Sequence, residues 1–446
     1  MLVANLLITI AIILLLIMVV KMHPALSLFL GALYMGIASG VGSVETVSAI
    51  TSGFGSLMTS LGFSVAFGVM MGHMLSRIGA VEVIANGILK LFSKKRAEYG
   101  LGLTGFIVSI PVFYDVGFVI LVPLANALAK HGKSVAYYVA ALSAGLAIAH
   151  GFIPPTPGPM TGAELVGIDV GTMIFWGIVV GLPTMLIGLF LYQKLFLNRK
   201  GFWNPEKDID STILVEAKET LVAQDAAVQK SPSLFLSLLP ILLPIVLILI
   251  GTASTALGVT DNVLINFISN KNIALFIGLV VSMLIALSCG MDRKTMEKEL
   301  SISTESLGTI LFITGAGGSL AEILKLSGVG DTLVSLVDTV SIPPVLFIWL
   351  VAWLLKLAQG SSTVAMITAI GLIAPTIPAL GINPVLVALA AVSGTLGACH
   401  VNDSGFWIST KLAGLTTSGG LKTYTLACAS MSVVSLVIIL FLSFLI

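Results

Sequence analysis

Long apolar runs separated by short polar segments extend along the whole chain of 446 residues. The uninterrupted runs are Met1–Val20, Pro24–Val41, Ser56–Leu75, Met173–Leu195, Leu234–Ile250, Ile273–Cys289, Leu307–Ile323 and a last run that ends at Ile446. A helix needs about 20 predominantly apolar residues to cross a hydrocarbon core about 30 Å thick. The pattern therefore predicts an all-α polytopic membrane protein.

Two further apolar segments are interrupted near their centres by polar residues, glycine or proline. The first, at about 101–128, contains the run SIPVFYDVGF, and the second, at about 344–380, is centred on AQGSSTVA. Each predicts two half-helices that meet at a tip, which is a re-entrant hairpin. Backbone that leaves the helix at membrane depth is tolerated only where it is buried in protein or lines a cavity. The two tips are therefore candidate parts of a binding site.

Each predicted hairpin is followed by a helix with a break. The first broken helix, at about 135–170, stops at HGFIPPTPGP, whose four prolines cannot continue a helix. The second, at about 384–415, is interrupted at CHVNDSGF. Polar and ionisable groups at membrane depth are costly, and they usually mark a substrate or ion path. We therefore expect both breaks to contribute to the same site as the hairpin tips.

The order of these elements repeats. Residues 1–195 and 233–446 each contain three spans, an interrupted hairpin, a broken helix and a final span, and a polar linker at 196–232 divides them. Each half would cross the membrane an odd number of times, so the second repeat must be inverted relative to the first. Inverted repeats with broken helices at the midplane are a recurring design of secondary transporters. The linker is expected to be solvated.

Composition and charge agree with a membrane location. Only 10% of the residues are charged and 57% are hydrophobic, whereas soluble domains carry roughly 25% charged residues. With the N-terminus outside, most lysines and arginines fall in cytoplasmic segments, as the positive-inside rule requires. These are Lys21, Arg77, Lys90, Lys94, Lys95, Arg96, Lys130, Lys133, Lys194, Arg199, Lys200, Arg293, Lys294 and Lys411. The sequence predicts both termini outside, contact with membrane lipid, and no nucleic-acid partner.

Four motifs resemble those of the gluconate permeases, bacterial sugar-acid symporters of the ion-transporter superfamily. They are IPVFYDVGFVILVPL from Ile110, HGFIPPTPGP from His150, AQGSSTVA from Ala358 and HVNDSGFW from His400. The resemblance covers essentially the whole chain. It implies proton symport of a small organic anion across the bacterial inner membrane, an elevator-type movement, a homodimer and no cofactor. Thr156 stands where the family often has a second histidine, so gluconate, a related aldonate and D-serine all stay open as substrates.

The candidate site residues lie at the tips and the breaks. Exposed amides at a helix N-terminus suit a carboxylate, and nearby hydroxyls could bond a polyol. The candidates for substrate binding are Tyr114, Asp115, Gly117, His150, Thr156, Gly360, Ser361, Ser362, Thr363, His400, Asn402 and Ser404, and those for proton coupling are Asp115, Asp403, His150 and His400. The competing interpretations are close helix packing for the small residues, a backbone cap for Asp115 and structural hydrogen bonds for the histidines.

Other classes of function find less support. The chain has no HExxH motif, no GxSxG elbow and no cysteine pair spaced for a metal, so we expect no enzyme. A Walker motif is absent too, which argues against a primary pump. A passive anion channel could share the inverted repeat. Accumulation of substrate against its gradient distinguishes a symporter from such a channel.

Overall fold

The structure is a computed structural model that describes residues 2–130, 132–210, 230–259, 261–329, 342–377, 381–397, 399–401 and 403–446. Over these residues the regular structure is helical, apart from one isolated β-bridge between Ile209 and Leu415. Seven helical stretches in the described ranges are long and apolar enough to cross a membrane. The prediction of an all-α polytopic protein is confirmed.

The first half contains nine helices within its described residues. They are α1 (Leu2–Met18), α2 (Pro24–Ala38), α3 (Ser43–Arg77), α4 (Ala80–Leu89), α5 (Ala97–Val108), α6 (Tyr114–Ala129), α7 (Val135–Phe152), α8 (Pro157–Val166) and α9 (Val170–Tyr192). Helix α9 continues into a π-helical turn at Gln193–Leu197. Helices α1 and α2 are shorter than the apolar runs that predicted them, because the chain leaves the helical conformation before Lys21 and Gly40, which both have a positive φ.

The second half follows a short helix, α10 (Pro205–Asp208). Its described helices are α11 (Leu234–Ala256), α12 (Val263–Ser269), α13 (Lys271–Ser288), α14 (Arg293–Ser327), α15 (Pro344–Gln359), α16 (Ser362–Ile373), α17 (Pro384–Leu396), α18 (Ser404–Leu412), α19 (Thr417–Gly420) and α20 (Leu426–Leu442). A π-helical turn at Leu421–Thr425 leads into α20. Long, broken and paired helices therefore occur in the same order in both halves.

Helices α3 and α14 are both 35 residues long, well beyond the apolar cores from which they were predicted. Asp292 caps α14, since its Oδ1 accepts a hydrogen bond from the Thr295 N–H at 2.9 Å. The two helices pack at Gly53 and Gly318, and the contact is reciprocal. A Cβ on either glycine would lie 2.5 Å from the carbonyl oxygen of the other. Only glycine permits this close approach, so the two halves meet backbone to backbone.

The structure has helix breaks at the four places where they were expected. The first pair, α5 and α6, is separated at residues 109–113, and the second pair, α15 and α16, at 360–361. Gly360 makes the second turn possible because its φ of +78° is in the left-handed region. Helix α7 stops at Phe152 before α8, and α17 stops at Leu396 before α18. All four breaks leave helix ends inside the protein.

The linker is packed against the protein around Asp208, contrary to the expectation of a wholly solvated segment. Asp208 is fully buried, and its carboxylate accepts hydrogen bonds from the Asn204 N–H, the Ser418 hydroxyl and the Lys422 ammonium at 2.8–2.9 Å. Burial raises the pKa of Asp208, but these hydrogen bonds outweigh it and hold the pKa below its usual value. Residues 211–229 lie outside the described residues. The charge of Asp208 is buried because Lys422 compensates it.

Candidate functional site

A cavity of about 550 Å³ lies where the four helix breaks converge. Its walls include the starts of α6, α16 and α18 and the end of α7. Eight of the predicted site residues line it: Tyr114, Asp115, His150, Ser361, Ser362, Thr363, Asp403 and Ser404. The convergence explains why residues almost 300 positions apart in the sequence belong to one candidate site.

Three helix N-termini meet at this cavity. Tyr114 begins α6, Ser362 begins α16 and Ser404 begins α18, and all three residues line the cavity walls. The N-terminus of a helix presents free amide N–H groups and the positive end of the helix dipole. These ends favour an anion even without a cationic side chain. Hydroxyl groups on Ser361 and Thr363 add uncharged hydrogen-bonding partners beside the second N-terminus.

The first half contributes a carboxylate and an imidazole. In the part of the chain that the structure describes, the Asp115 carboxylate forms no hydrogen bond or ion pair. The Nδ1 atom of His150 is buried and likewise has no partner among those residues, while its ring packs against Phe113 at 5.5 Å between centroids. A buried polar atom without a partner is costly. The Asp115 carboxylate is therefore available to a ligand in the cavity, which the His150 side chain also lines.

Tyr114 is held in place by its hydroxyl group. That hydroxyl donates to Ser143 Oγ at 3.1 Å and shares a 2.5 Å hydrogen bond with Ser409 Oγ. Ser143 lies on α7 and Ser409 on α18, so the tyrosine links the two broken helices. Its ring also packs edge-on against Tyr424 at 5.7 Å. Tyr114 therefore presents its ring, rather than a free hydroxyl, to the cavity.

The second half contributes a carboxylate that is already paired. Asp403 Oδ2 accepts hydrogen bonds from the Lys356 ammonium at 2.6 Å and from the Tyr424 hydroxyl at 2.9 Å. Its Oδ1 accepts from the Gly405 N–H at 2.9 Å and caps α18. Lys356 also donates to the Gly360 carbonyl at 2.5 Å. A buried charge is tolerable when it is paired and hydrogen-bonded, and both charges here satisfy that condition.

Four predicted site residues fall outside the cavity walls as far as the chain is described. Gly117 lies within α6, where a Cβ would meet Leu146 of α7 at 2.7 Å, so it serves close packing. The Thr156 hydroxyl donates to the carbonyls of His150 and Ile153 and stabilises the break in the first broken helix.

The other two are on the second hairpin and the second break. Gly360 directs its carbonyl to Lys356. His400 Nε2 lies 3.3 Å from the Leu357 carbonyl, so the histidine joins the break to α15 rather than to the cavity. The geometry of these four residues favours a supporting role. Asn402 lies outside the described residues.

Lys356 is the main residue of the site that the sequence analysis did not include among the candidates. Its ammonium donates a hydrogen bond to the Gly360 carbonyl at the C-terminal end of its half-helix, where a cation balances the helix dipole. Its pairing with Asp403 joins residues 47 positions apart. The available signal was a lysine inside an apolar helix, which by default indicates a buried partner. Tyr424, Ser143 and Ser409 carried no such signal.

The chain matches a known protein family over nearly its whole length. The profile of the GntP family permease matches residues 1–445. The chain belongs to this family. It is therefore a permease integral to the membrane and not an enzyme, and the resemblance to gluconate permeases is confirmed.

Relatives of this GntP family member are named for different substrates, among them gluconate and D-serine. A gluconate permease of Pseudomonas aeruginosa is 34% identical over 429 residues, which cover 95% of this chain and 93% of the relative. The D-serine transporter DsdX of Escherichia coli is 34% identical over 450 residues, covering 100% and 98%. Among solved structures, the Alcanivorax borkumensis YdaH transporter matches with a TM-score of 0.64 and 14% identity, over 94% of this chain and 98% of that chain. This last likeness shows a shared transporter fold.

Proposed function

We propose that the protein imports a small hydroxylated carboxylate, gluconate or a related aldonate, by symport with protons across the bacterial inner membrane. The observation that carries the proposal is the cavity where three helix N-termini converge beside the hydroxyls of Ser361, Ser362 and Thr363. Amide N–H groups suit a carboxylate, and hydroxyl groups suit the polyol chain of a sugar acid. A volume of about 550 Å³ falls within the range of small-molecule sites.

The charges around the cavity support proton coupling. Asp403 is compensated by Lys356, so this pair is neutral as a unit. Asp115 then leaves one net negative charge at the site when it is ionised. A negative charge opposes the entry of an anion, and a proton on Asp115 would remove that opposition. We therefore propose Asp115 as the coupling residue, and Ser361–Thr363 as the main substrate contacts.

The alternative substrate is D-serine or another small hydroxy or amino acid. It is favoured by the D-serine transporter among the relatives and by the carboxylate of Asp115, which could accept a hydrogen bond from a substrate ammonium group. Thr156 stands where the family often has a histidine, so the motif does not decide between an aldonate and D-serine. A passive anion channel is a further alternative.

Transport by purified protein distinguishes these functions. Proteoliposomes with an inward proton gradient should accumulate labelled gluconate above equilibrium, and an ionophore should abolish the accumulation. Unlabelled aldonates should compete more strongly than D-serine if the first proposal is correct, and the reverse order would favour the amino acid. Equilibration without accumulation, at any pH gradient, would show a channel and refute symport.

The topology proposal places both termini outside and the linker in the cytoplasm. Three ion pairs join segments that this topology puts on one side: Asp208–Lys422 and Arg77–Glu299 inside, and Glu164–Lys271 outside. The three native cysteines are buried, so an introduced cysteine can be labelled without background. In intact cells, an impermeant maleimide should label Val259→Cys but not Lys200→Cys, and the reverse pattern would refute the orientation.

The inverted repeat, the elevator movement and the homodimer are further parts of the proposal. The repeat is supported by the common order of helices in the two halves and by the reciprocal contact of Gly53 with Gly318. Equivalent packing occurs beside each hairpin. A Cβ on Gly145 would meet the Gly102 carbonyl at 2.0 Å, and one on Gly394 would meet the Trp349 carbonyl at 2.4 Å. Light scattering of the solubilised protein would test the dimer.

A further inference from the structure

Lys356 has no contact with the transport cavity although its partner Asp403 has one. The lysine side chain is completely buried in α15, and its ammonium lies between two oxygen atoms. These are the Gly360 carbonyl at 2.5 Å and Asp403 Oδ2 at 2.6 Å. Asp403 and Tyr424 line the cavity, but Lys356 lies behind them. The lysine therefore acts on the site from within the protein and does not bind substrate directly.

The two oxygens are of the kind that coordinate a small cation. Gly360 follows the last residue of the half-helix α15, so its carbonyl belongs to the negative end of that helix. Asp403 supplies a carboxylate from the break in the second broken helix. In transporters with discontinuous helices, carbonyls at half-helix C-termini and unwound backbone coordinate the coupling cation. Carboxylate and carbonyl oxygens are the ligands that hard cations prefer.

We infer that the Lys356 ammonium is a built-in cation, held between Gly360 and Asp403 in what is otherwise a binding site for a monovalent metal ion. Replacing the lysine by alanine should expose a latent sodium site made from the Gly360 carbonyl, the Asp403 carboxylate and the Tyr424 hydroxyl. The native protein then needs no dissociable metal cation at this place. The lysine joins the hairpin tip at Gly360 to the second broken helix at Asp403. Because its ammonium is covalently attached to the chain, a low sodium concentration cannot empty this cation position.

If the Lys356–Asp403 pair were only a structural salt bridge, removal of the lysine would not create a sodium site. Lys271 and Glu164 also form a lysine–carboxylate pair at 2.9 Å, but both side chains are partly exposed, at 24% and 32%. No carbonyl oxygen shares that ammonium in the contacts described for Lys271. Truncation of Lys271 should leave a hydrated carboxylate with no tendency to bind sodium. The pair is therefore a matched control for Lys356.

The first experiment measures melting temperature without substrate, so its outcome does not depend on the proposed transport function. Wild type, Lys356→Ala, Lys271→Ala and the double variant Lys356→Ala/Asp403→Asn are compared in sodium chloride and in choline chloride at equal ionic strength. We expect sodium to raise the melting temperature of Lys356→Ala by several degrees, since a ligand at 100 times its dissociation constant favours the folded state about a hundredfold. The other three proteins should show no difference between the salts.

Each contrary outcome overturns the inference. An equal melting temperature of Lys356→Ala in both salts would show that no cation site is left behind. A sodium effect of the same size in the double variant would show that Asp403 is not a ligand. If Lys356→Ala can be purified in neither salt while the double variant folds, the pair is a structural salt bridge only, because a latent site would have bound sodium.

A second experiment asks whether the same exchange controls transport, and this arm rests on the proposed function. Gluconate uptake by Lys356→Ala in proteoliposomes should become sodium-dependent, at least about tenfold faster with sodium than with choline, since binding of a cation restores the site by mass action. Wild-type uptake should be equal in the two salts. Absence of gluconate uptake in wild type would refute the proposed substrate without affecting the melting result. Sodium-independent uptake by Lys356→Ala would overturn the built-in cation.

Discussion

Replacement of Asp115 by asparagine tests the proposed coupling directly, because it removes the negative charge without changing the shape of the side chain much. The cavity of about 550 Å³ has the volume of a sphere about 5 Å in radius. A substrate carboxylate in it would be about 5 Å from Asp115, and at an effective dielectric constant near 20 the repulsion is about 3 kcal/mol. That energy corresponds to roughly a hundredfold in binding affinity.

The assay is calorimetric binding of an aldonate to the purified protein between pH 5 and pH 9. Wild type should bind more weakly as the pH rises and Asp115 becomes ionised. Asp115→Asn should bind with little pH dependence, and at the alkaline end about a hundredfold more tightly than wild type, because the repulsion is removed. In proteoliposomes the variant should exchange substrate but not accumulate it, since no proton is taken up at this position. Asp115→Glu keeps a carboxylate and should keep the pH dependence.

Two results would refute this reasoning. If Asp115→Asn still concentrates substrate against its gradient, another group couples the proton, and Asp403 or one of the two histidines takes its place. If wild-type affinity is constant across the pH range while uptake is proton-driven, the charge of Asp115 does not oppose the substrate. In that case the proton acts on the movement of the protein and not on binding.

Three other expectations follow from single contacts. Ser362→Ala should weaken aldonate binding by about 1–3 kcal/mol, because a buried substrate oxygen loses its hydrogen-bond partner. Calorimetric titration with the aldonate at low pH, where binding is expected to be strongest, measures this loss. Asp208→Asn should lower the free energy of unfolding by about 1–3 kcal/mol at neutral pH. The pKa of Asp208 is lowered in the folded protein, so the stability difference between wild type and variant should diminish as the pH falls below about 4, which denaturation at several pH values measures. Gly318→Ala forces a Cβ against the Gly53 carbonyl and should lower the melting temperature, whereas Gly308→Ala, with open space around it, should not.

The sequence identified where helices break but not which side chains meet behind the breaks. Proline clusters, glycine and runs of polar residues stop a helix by local sterics and hydrogen bonding, so they can be read from neighbouring residues alone. The breaks at HGFIPPTPGP and at residues 360–361 are of this kind. The 35-residue length of α3 and α14 was missed, because their ends are polar and only tertiary packing keeps them helical.

Contacts between distant segments were the part that local pattern could not provide. Gly117 and Thr156 were predicted at the site because they are small or polar and stand in the right motifs, yet their neighbours make them packing and hydrogen-bonding residues. Asp208 was expected to be solvated because charged linkers usually are. Lys422, more than 200 positions later, is what allows it to be buried. Such partners are fixed by topology, and a single sequence contains no record of them.

The two halves share an order of helices but place different charges at their breaks. The first half presents the carboxylate of Asp115 with no described partner. The second half presents the carboxylate of Asp403 with its own cation, Lys356, bound behind it. In the proposed mechanism the Asp403–Lys356 pair contributes no net charge while its ion pair is intact, so Asp115 is the group whose protonation changes the charge of the cavity. The proposed substrate contacts at Ser361–Thr363 and the proposed coupling residue Asp115 then lie in opposite halves of the chain but on the walls of one cavity, so in the proposed elevator movement both would be exposed to the same side of the membrane at the same time.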